Sequence, residues 1–543
     1  DSPTNGTQTD TGAGGEVVGN YCTLNPLQKG SNTSLANGNL DFSNTATEWN
    51  TCFSTIFVSS GKWYCETIVS NAAASTLGWG IAKNTHGIDT YLGATADGWA
   101  LYGNTSSSYT YTNGSTVNAS YCTLANNDVL GMALDMDAGT LTYYVNNVNK
   151  GTAFSGITGS VCFAVTAYPS GATSVFNFGQ RPFAYTAPSG FKALCTANLE
   201  PPTIADGSTA MDVVLYTGDG TSSKAITGLE FSPDLVWTKC RTVAHWHTLG
   251  DTVRGAGPTV ATNTTYLEIN DGLYSSFDSN GFTVAKYNTN ESTNDANEPF
   301  VSWCWDAGSS TVSNTDGSIT STVRANPSAG FSIVTYSGDN STSGSVGHGL
   351  GVAPSMVIIK ARNASKDWKV AHVSLAAQNM LSLNETYAAG IASWDGVTST
   401  VFKPARVGDT YNNTSGQNYV AYCFAPVDGY SAFGSYTGNG SATGDGPFVY
   451  TGFRPRYVLL KCSSAGDSAK DWFVHDGVRD TYNLAQKSLN PNRSVAELDN
   501  ASYGIDLLSN GFKIRTTSTG WNGSAETYIY AAFGDPFAYA RAR

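Results

Sequence analysis

The sequence predicts an all-β chain, one folded unit followed by three tandem β-rich repeats. Its apolar runs are short, about four to eight residues, and are separated by Gly, Asn or Asp turns, as strands require. Tyr (29), Phe (23) and Trp (12) are plentiful, and the Ala, Leu, Glu and Lys runs of long helices are missing. One set of landmarks also recurs three times along the C-terminal part, which marks tandem units and suggests a chain built by extension and display.

At 543 residues the chain exceeds a single core. Residues 1–19, rich in Gly, Thr and Asp, read as a linker. The first folded unit spans 20–197. Within it Gly61 to Val69 and Leu77 to Ala82 read as strands, the glycines of the second leaving room for large aromatics. From Asn127 to Asn147 two β-forming runs flank Asp137-Ala138-Gly139, a hairpin turn whose Gly can take positive φ. A Pro-containing connector at 198–208 leads to the repeats, at 209–326, 327–430 and 431–543.

Each repeat opens on Tyr-Thr/Ser-Gly-Asp/Asn (Tyr216, Tyr336, Tyr436) and continues into a strand preceded by Pro233, Pro354 or Pro455. A Trp follows (Trp246, Trp368, Trp472), then a short element ending at Asn270, Asn384 or Asn490, and last an aromatic strand. Val373 to Leu383 and Leu484 to Leu489 are expected as short helices.

Composition narrows the function. A net charge of −13 argues against nucleic-acid binding and against docking on anionic lipid. No apolar run approaches the roughly 20 residues of a membrane span, so no membrane insertion is expected. The ten cysteines form no CxxC, and Cys65, Cys162, Cys304 and Cys423 sit in apolar runs; free, buried thiols are expected. Cys240 and Cys462 occupy the place of Ala361 in the second repeat, which suits a packed core position. The Asn-x-Ser/Thr sequons at Asn104, Asn113, Asn118, Asn363, Asn384 and Asn522 are read as chance in so Asn-rich a chain.

No catalytic residue, metal site or cofactor emerges. His245-Trp246-His247 has the i, i+2 spacing of a strand-borne zinc pair, but the other copies lack it, and two solvated histidines are the favoured reading. Asp135 to Gly139 lacks the later ligands of a calcium loop; a turn capped by Asp137 is expected. Asp219 and Asp339 recur as Asn439, so this position accepts turn hydrogen bonds and does not transfer protons. The recurring Trp246, Trp368 and Trp472 are read as core more readily than as sugar platforms. Recognition is expected in an unshared segment, His86 to Asn113, where Asp97, Trp99, Tyr102, Tyr109 and Tyr111 are the candidate ligand-binding residues. Amphipathic aromatics among small polar residues make an adaptable contact surface.

The motifs of the first unit resemble the SPRY domain: Gly61-Lys62-Trp63-Tyr64-Cys65-Glu66, Leu77-Gly78-Trp79-Gly80-Ile81-Ala82, the hairpin from Asp128 to Asn147, and Asn177-Phe178-Gly179. Asn127 and Asn147 stand where that family carries Gly, both at turns that Asn tolerates. The resemblance implies a bent two-sheet β-sandwich whose loops bind a partner, without a catalytic centre. Asn177 to Tyr185, Gly190 to Leu194, Thr196 to Leu199 and the repeats resemble SPRY-bearing virion proteins of tailed phages, of tail-fibre and marine or cyanophage type. Glu200 replaces that family's usual Pro. Asp1-Ser2-Pro3-Thr4-Asn5 also matches, usually inside a longer chain, so an N-terminal extension is expected. The resemblance implies a non-enzymatic fibre on the virion surface. Its partners would be other virion proteins and a host glycan or envelope component, and fibres of this kind are often homotrimers. The alternatives are a polysaccharide depolymerase and a head decoration or extracellular filament protein without a ligand.

Overall fold

The computed structural model describes residues 9–70, 76–103, 106–168, 170–200, 202–286 and 292–534. Asp1 to Asn5 and the sequon at Asn104 lie outside them. The protein is all-β, and among the described residues the one α-helix is Thr519–Asn522. The helices expected at 373–383 and 484–489 are turns with the short strands Asn379–Ser382 and Lys487–Ser488. The chain divides into two compact units, Asp1–Pro201 and Pro202–Arg543.

The first unit is a sandwich of two sheets, antiparallel except where Lys192–Ala193 pairs in parallel with Lys62–Val69. One runs in the order Leu24–Lys29, Asn50–Ser54, Val161–Ala167, Leu77–Lys83, Gly98–Tyr102, Ser108–Thr112, Ser115–Cys122. The other is centred on Lys62–Val69, which pairs with Val129–Asp135 and Thr173–Asn177. Trp79, Phe163, Leu130, Tyr143 and Phe176 fill the space between them. The hairpin falls where expected, with Gly139 at φ 65° and Asn127 and Asn147 at 72° and 67°, so both Asn residues hold left-handed turns. The turn is capped by Asp135, which accepts from Ala138 N–H, and not by Asp137, which accepts from Gly61 N–H. Residues 9–19, expected as linker, are anchored: Asp10 accepts from Ala193 N–H and the Asn198 amide, and Gly15 N–H donates to Gly179.

The three repeats do not extend. They share one core. Each contributes a sheet whose central strands are Leu235–Cys240 with Pro299–Trp305, Met356–Ala361 with Asn418–Phe424, and Pro455–Cys462 with Thr527–Gly534. Alternation sorts their side chains. One face (Trp237, Trp303, Trp305; Ile358, Tyr422, Phe424; Leu459, Ala531, Phe533) meets the other repeats in a common core. The opposite face packs within its own repeat. At the centre Trp305, Phe424 and Phe533, one from each repeat, form a triangle with ring centroids 5.8–6.2 Å apart. The strands Thr311–Asn314 and Ser321–Asn326, placed by sequence in the first repeat, pair into the second repeat's sheet.

Three backbone bonds close the ring: Glu268 N–H to Arg362, Ala389 N–H to Ser463, and Glu497 N–H to Arg241. Two of these joins carry bidentate Arg–Glu forks, Arg362–Glu268 at 2.8 and 2.9 Å and Arg241–Glu497 at 3.0 and 2.7 Å. Lys239, Lys360 and Lys461 sit at one equivalent position and are fully buried. Lacking carboxylate partners, their ammonium groups donate to carbonyls, and Lys360 and Lys461 each reach into the preceding repeat, to Thr265 and Thr386.

The opening turn of each copy is locked by a buried asparagine. Asn294, Asn413 and Asn522 accept from the N–H of Asp219, Asp339 and Asn439 and donate back to their side chains. This is the structural role expected from the acid–amide exchange. The preceding glycine is obligatory, since a Cβ at Gly338 would lie 2.2 Å from the Thr414 carbonyl.

Two outcomes follow for chemical denaturation. Asn413→Ala should destabilise by about 2–4 kcal/mol, because it strands buried partners, whereas Asp339→Asn should stay within about 1 kcal/mol. Burial lowers each of the three lysines from 10.5 to about 8. Between those values the unfolded chain binds more protons, so this contribution to stability must rise with pH from about 8 to about 10. Lys360→Met should flatten that rise by roughly a third, given three equivalent groups.

Candidate functional site

Of the candidate residues, Trp99 and Tyr102 lie in the strand Gly98–Tyr102 and are buried, the Tyr102 hydroxyl donating to the Leu92 carbonyl. Tyr109 and Tyr111, in Ser108–Thr112, are half-buried. Tyr109 stacks on Tyr102 at 5.4 Å, and the Tyr111 hydroxyl donates to Gly114. Asp97 faces Lys83 at 3.7 Å and accepts from Thr85. These residues form the support of a site more than its mouth.

The mouth lies beside them. Trp49 meets Tyr91 and Tyr168 with ring centroids 5.4 Å apart in each case, and Tyr102 at 5.9 Å beneath. An open groove of about 590 Å³ runs over these rings, rimmed by Ser31, Glu48, Asp89 and Thr90. Tyr168 is 38% exposed, and both carboxylates face solvent. Each carboxylate is oriented: Glu48 accepts from the Asn32 amide at 3.0 Å, and Asp89 from Ser31 N–H at 3.1 Å.

Buried polar groups fix the three loops that build this groove. Asn44 donates from one amide to the carbonyls of Glu48, Ala167 and Tyr168, tying the Trp49 loop to the Tyr168 loop. Thr51 holds the third loop through its N–H to Ile88 and its hydroxyl to Thr90. His86 spans that loop, its Nδ1 at the Gly87 carbonyl and its Nε2 accepting from Gly93 N–H. Such bonding requires the neutral ring, and burial pushes its pKa down. The sequence singled out the segment 86–113 but not Trp49 and Tyr168, because only folding brings them to Tyr91.

The remaining sequence candidates resolve as structure. His245 pairs with Asp295 at 2.7 Å. His247 is buried and not solvated, stacks on Trp303, and accepts from Trp237 Nε1, so the two histidines do not share an ion. Strand register makes His247, and not Trp246, the counterpart of Trp368 and Trp472. Likewise Asn263, Asn384 and Asn492 are the equivalent asparagines, not Asn270 and Asn490. All ten cysteines are free, and all but Cys122 are buried. Asn384 and Asn522 are buried and hydrogen-bonded, so neither sequon is open to a glycan, whereas Asn113, Asn118 and Asn363 are exposed.

The profile of the SPRY domain matches residues 62–181, and that of DUF7483, a domain of unknown function, matches residues 206–536. The chain belongs to the DUF7483 family. Its first unit is a SPRY domain, and the DUF7483 region coincides with the three-repeat ring. Similar solved structures include the SPRY domain of human HERC1 (19% identity, 28% of this chain and 96% of that one, TM-score 0.26). The TRIM65 PSpry domain (18%, 29% and 93%, 0.26) and another human SPRY domain (13%, 27% and 95%, 0.23) also match.

Proposed function

We propose that this protein is a non-enzymatic phage virion protein, a tail or surface fibre component that recognises the host surface through its SPRY unit. The observation that carries the reading is the Trp49–Tyr91–Tyr168 groove, open to solvent and braced by buried hydrogen bonds. Rigid aromatics offer contact area at low entropic cost, and the oriented Glu48 and Asp89 oxygens can accept hydroxyl groups, which suits a glycan of the host envelope. Other virion proteins are the expected neighbours, and several copies per particle would raise avidity. In this reading the three-repeat ring is the rigid mount. A head-decoration or filament role without a ligand would leave the groove without purpose.

One feature favours a second reading. Two carboxylates beside aromatics are also what a depolymerase needs. Release of new reducing ends from host polysaccharide, abolished in Glu48→Gln or Asp89→Asn, would establish that reading instead.

The test is binding of the labelled full chain to host cells, with electron microscopy locating the protein on the particle. Tyr91→Ala with Tyr168→Ala should weaken cell binding at least about tenfold, the loss typical of a central aromatic contact. Tyr102→Phe, altered only beneath the groove, should bind as wild type. Unchanged binding in the double variant would overturn the assignment.

A further inference from the structure

The first repeat departs from its sisters at the position before His247, which is half-buried in the first two repeats and buried in the third. Asn384 and Asn492 each donate from the side-chain amide to a neighbouring carboxylate, Asp367 at 3.0 Å and Asp471 at 2.6 Å. In the first repeat the equivalent asparagine is Asn263, but Trp246 stands where the acid should be. An indole stands in place of the carboxylate that accepts this hydrogen bond in the other two repeats. That indole is not core: it is half-buried and meets Tyr266 at 5.2 Å and 57°, with Tyr266 54% exposed.

Between and below the two rings lies a hollow lined by Thr248, Thr259, Ala261 and Thr264 among others, none of them charged. It has room for about one water-sized group. Thr248 is one of its lining residues, and the Thr248 hydroxyl is buried without a hydrogen-bond partner. Unmet buried hydroxyls are costly, so a partner arriving with a ligand is favoured.

We infer that Trp246, Tyr266 and Thr248 form a binding subsite for a neutral sugar. The C–H face of a pyranose lies on the exposed rings while one exocyclic hydroxyl enters the hollow and bonds Thr248. The uncharged lining selects against acidic and basic ligands, and the hollow is too small for an apolar side chain. The subsite belongs to the second unit and is independent of the SPRY groove.

The full chain is titrated with maltohexaose, cellohexaose and laminarihexaose by saturation-transfer NMR and calorimetry, to about 10 mM so that millimolar affinity is seen. At least one should bind. Trp246→Asp restores the acid of the sister repeats, so it should lower affinity at least about tenfold while leaving the melting temperature unchanged or raised. Thr248→Val should weaken binding severalfold, and Trp49→Ala in the SPRY groove should leave this binding intact. The inference is overturned if no hexaose binds, if Trp246→Asp or Thr248→Val binds as wild type, if Trp49→Ala abolishes binding, or if Trp246→Asp melts lower than wild type.

Discussion

Everything in the second unit depends on the triangle of Trp305, Phe424 and Phe533. Each ring ends the closing strand of its repeat, and each touches the other two. No repeat can bury this face alone, because its own core lies on the other side of the sheet. The three must therefore fold against one another. The joins at Glu268–Arg362, Ala389–Ser463 and Glu497–Arg241 then hold neighbouring repeats together at the rim, the third of them between the last repeat and the first.

This constraint explains which positions vary. Three positions keep their physical character across the copies: a large ring at the triangle, a buried lysine, and an asparagine beneath the opening turn. Cys240, Ala361 and Cys462 need only be small and apolar. Rim positions tolerate an ion pair or a plain backbone bond. Trp246 departs at a half-buried position outside both the shared core and the opening turn. A threefold body made by one chain also supplies internally the symmetry that a homotrimeric fibre would supply by association.

Much of this was legible in the residues. The hairpin turn, the left-handed Asn127 and Asn147, the three copies and the structural role of Asp219, Asp339 and Asn439 all rest on local chemistry that spacing exposes. Closure of the ring was not legible, because Arg241 and Glu497 lie at opposite ends of the repeat array and no local pattern distinguishes a ring from a row. Register was lost where the motif changed. In the first copy a Trp stands one residue before the equivalent position, which is held by His247, and alternation sends the two side chains to opposite faces. Residues 9–19 looked like linker because Gly and Thr carry no periodicity, yet Asp10 anchors them. The groove was half visible: its supporting aromatics cluster in one segment, while Trp49 and Tyr168 are distant in sequence and meet where Asn44 ties their loops together.

Hydrogen exchange of the full chain carrying Phe424→Ala tests the shared core most directly. Removing this ring should cost about 3–5 kcal/mol. If the three repeats are one cooperative body, protection must fall together in Leu235–Cys240, Met356–Ala361 and Pro455–Cys462. Loss confined to Met356–Ala361 and Asn418–Phe424, with the first and third repeats as protected as in wild type, would contradict it.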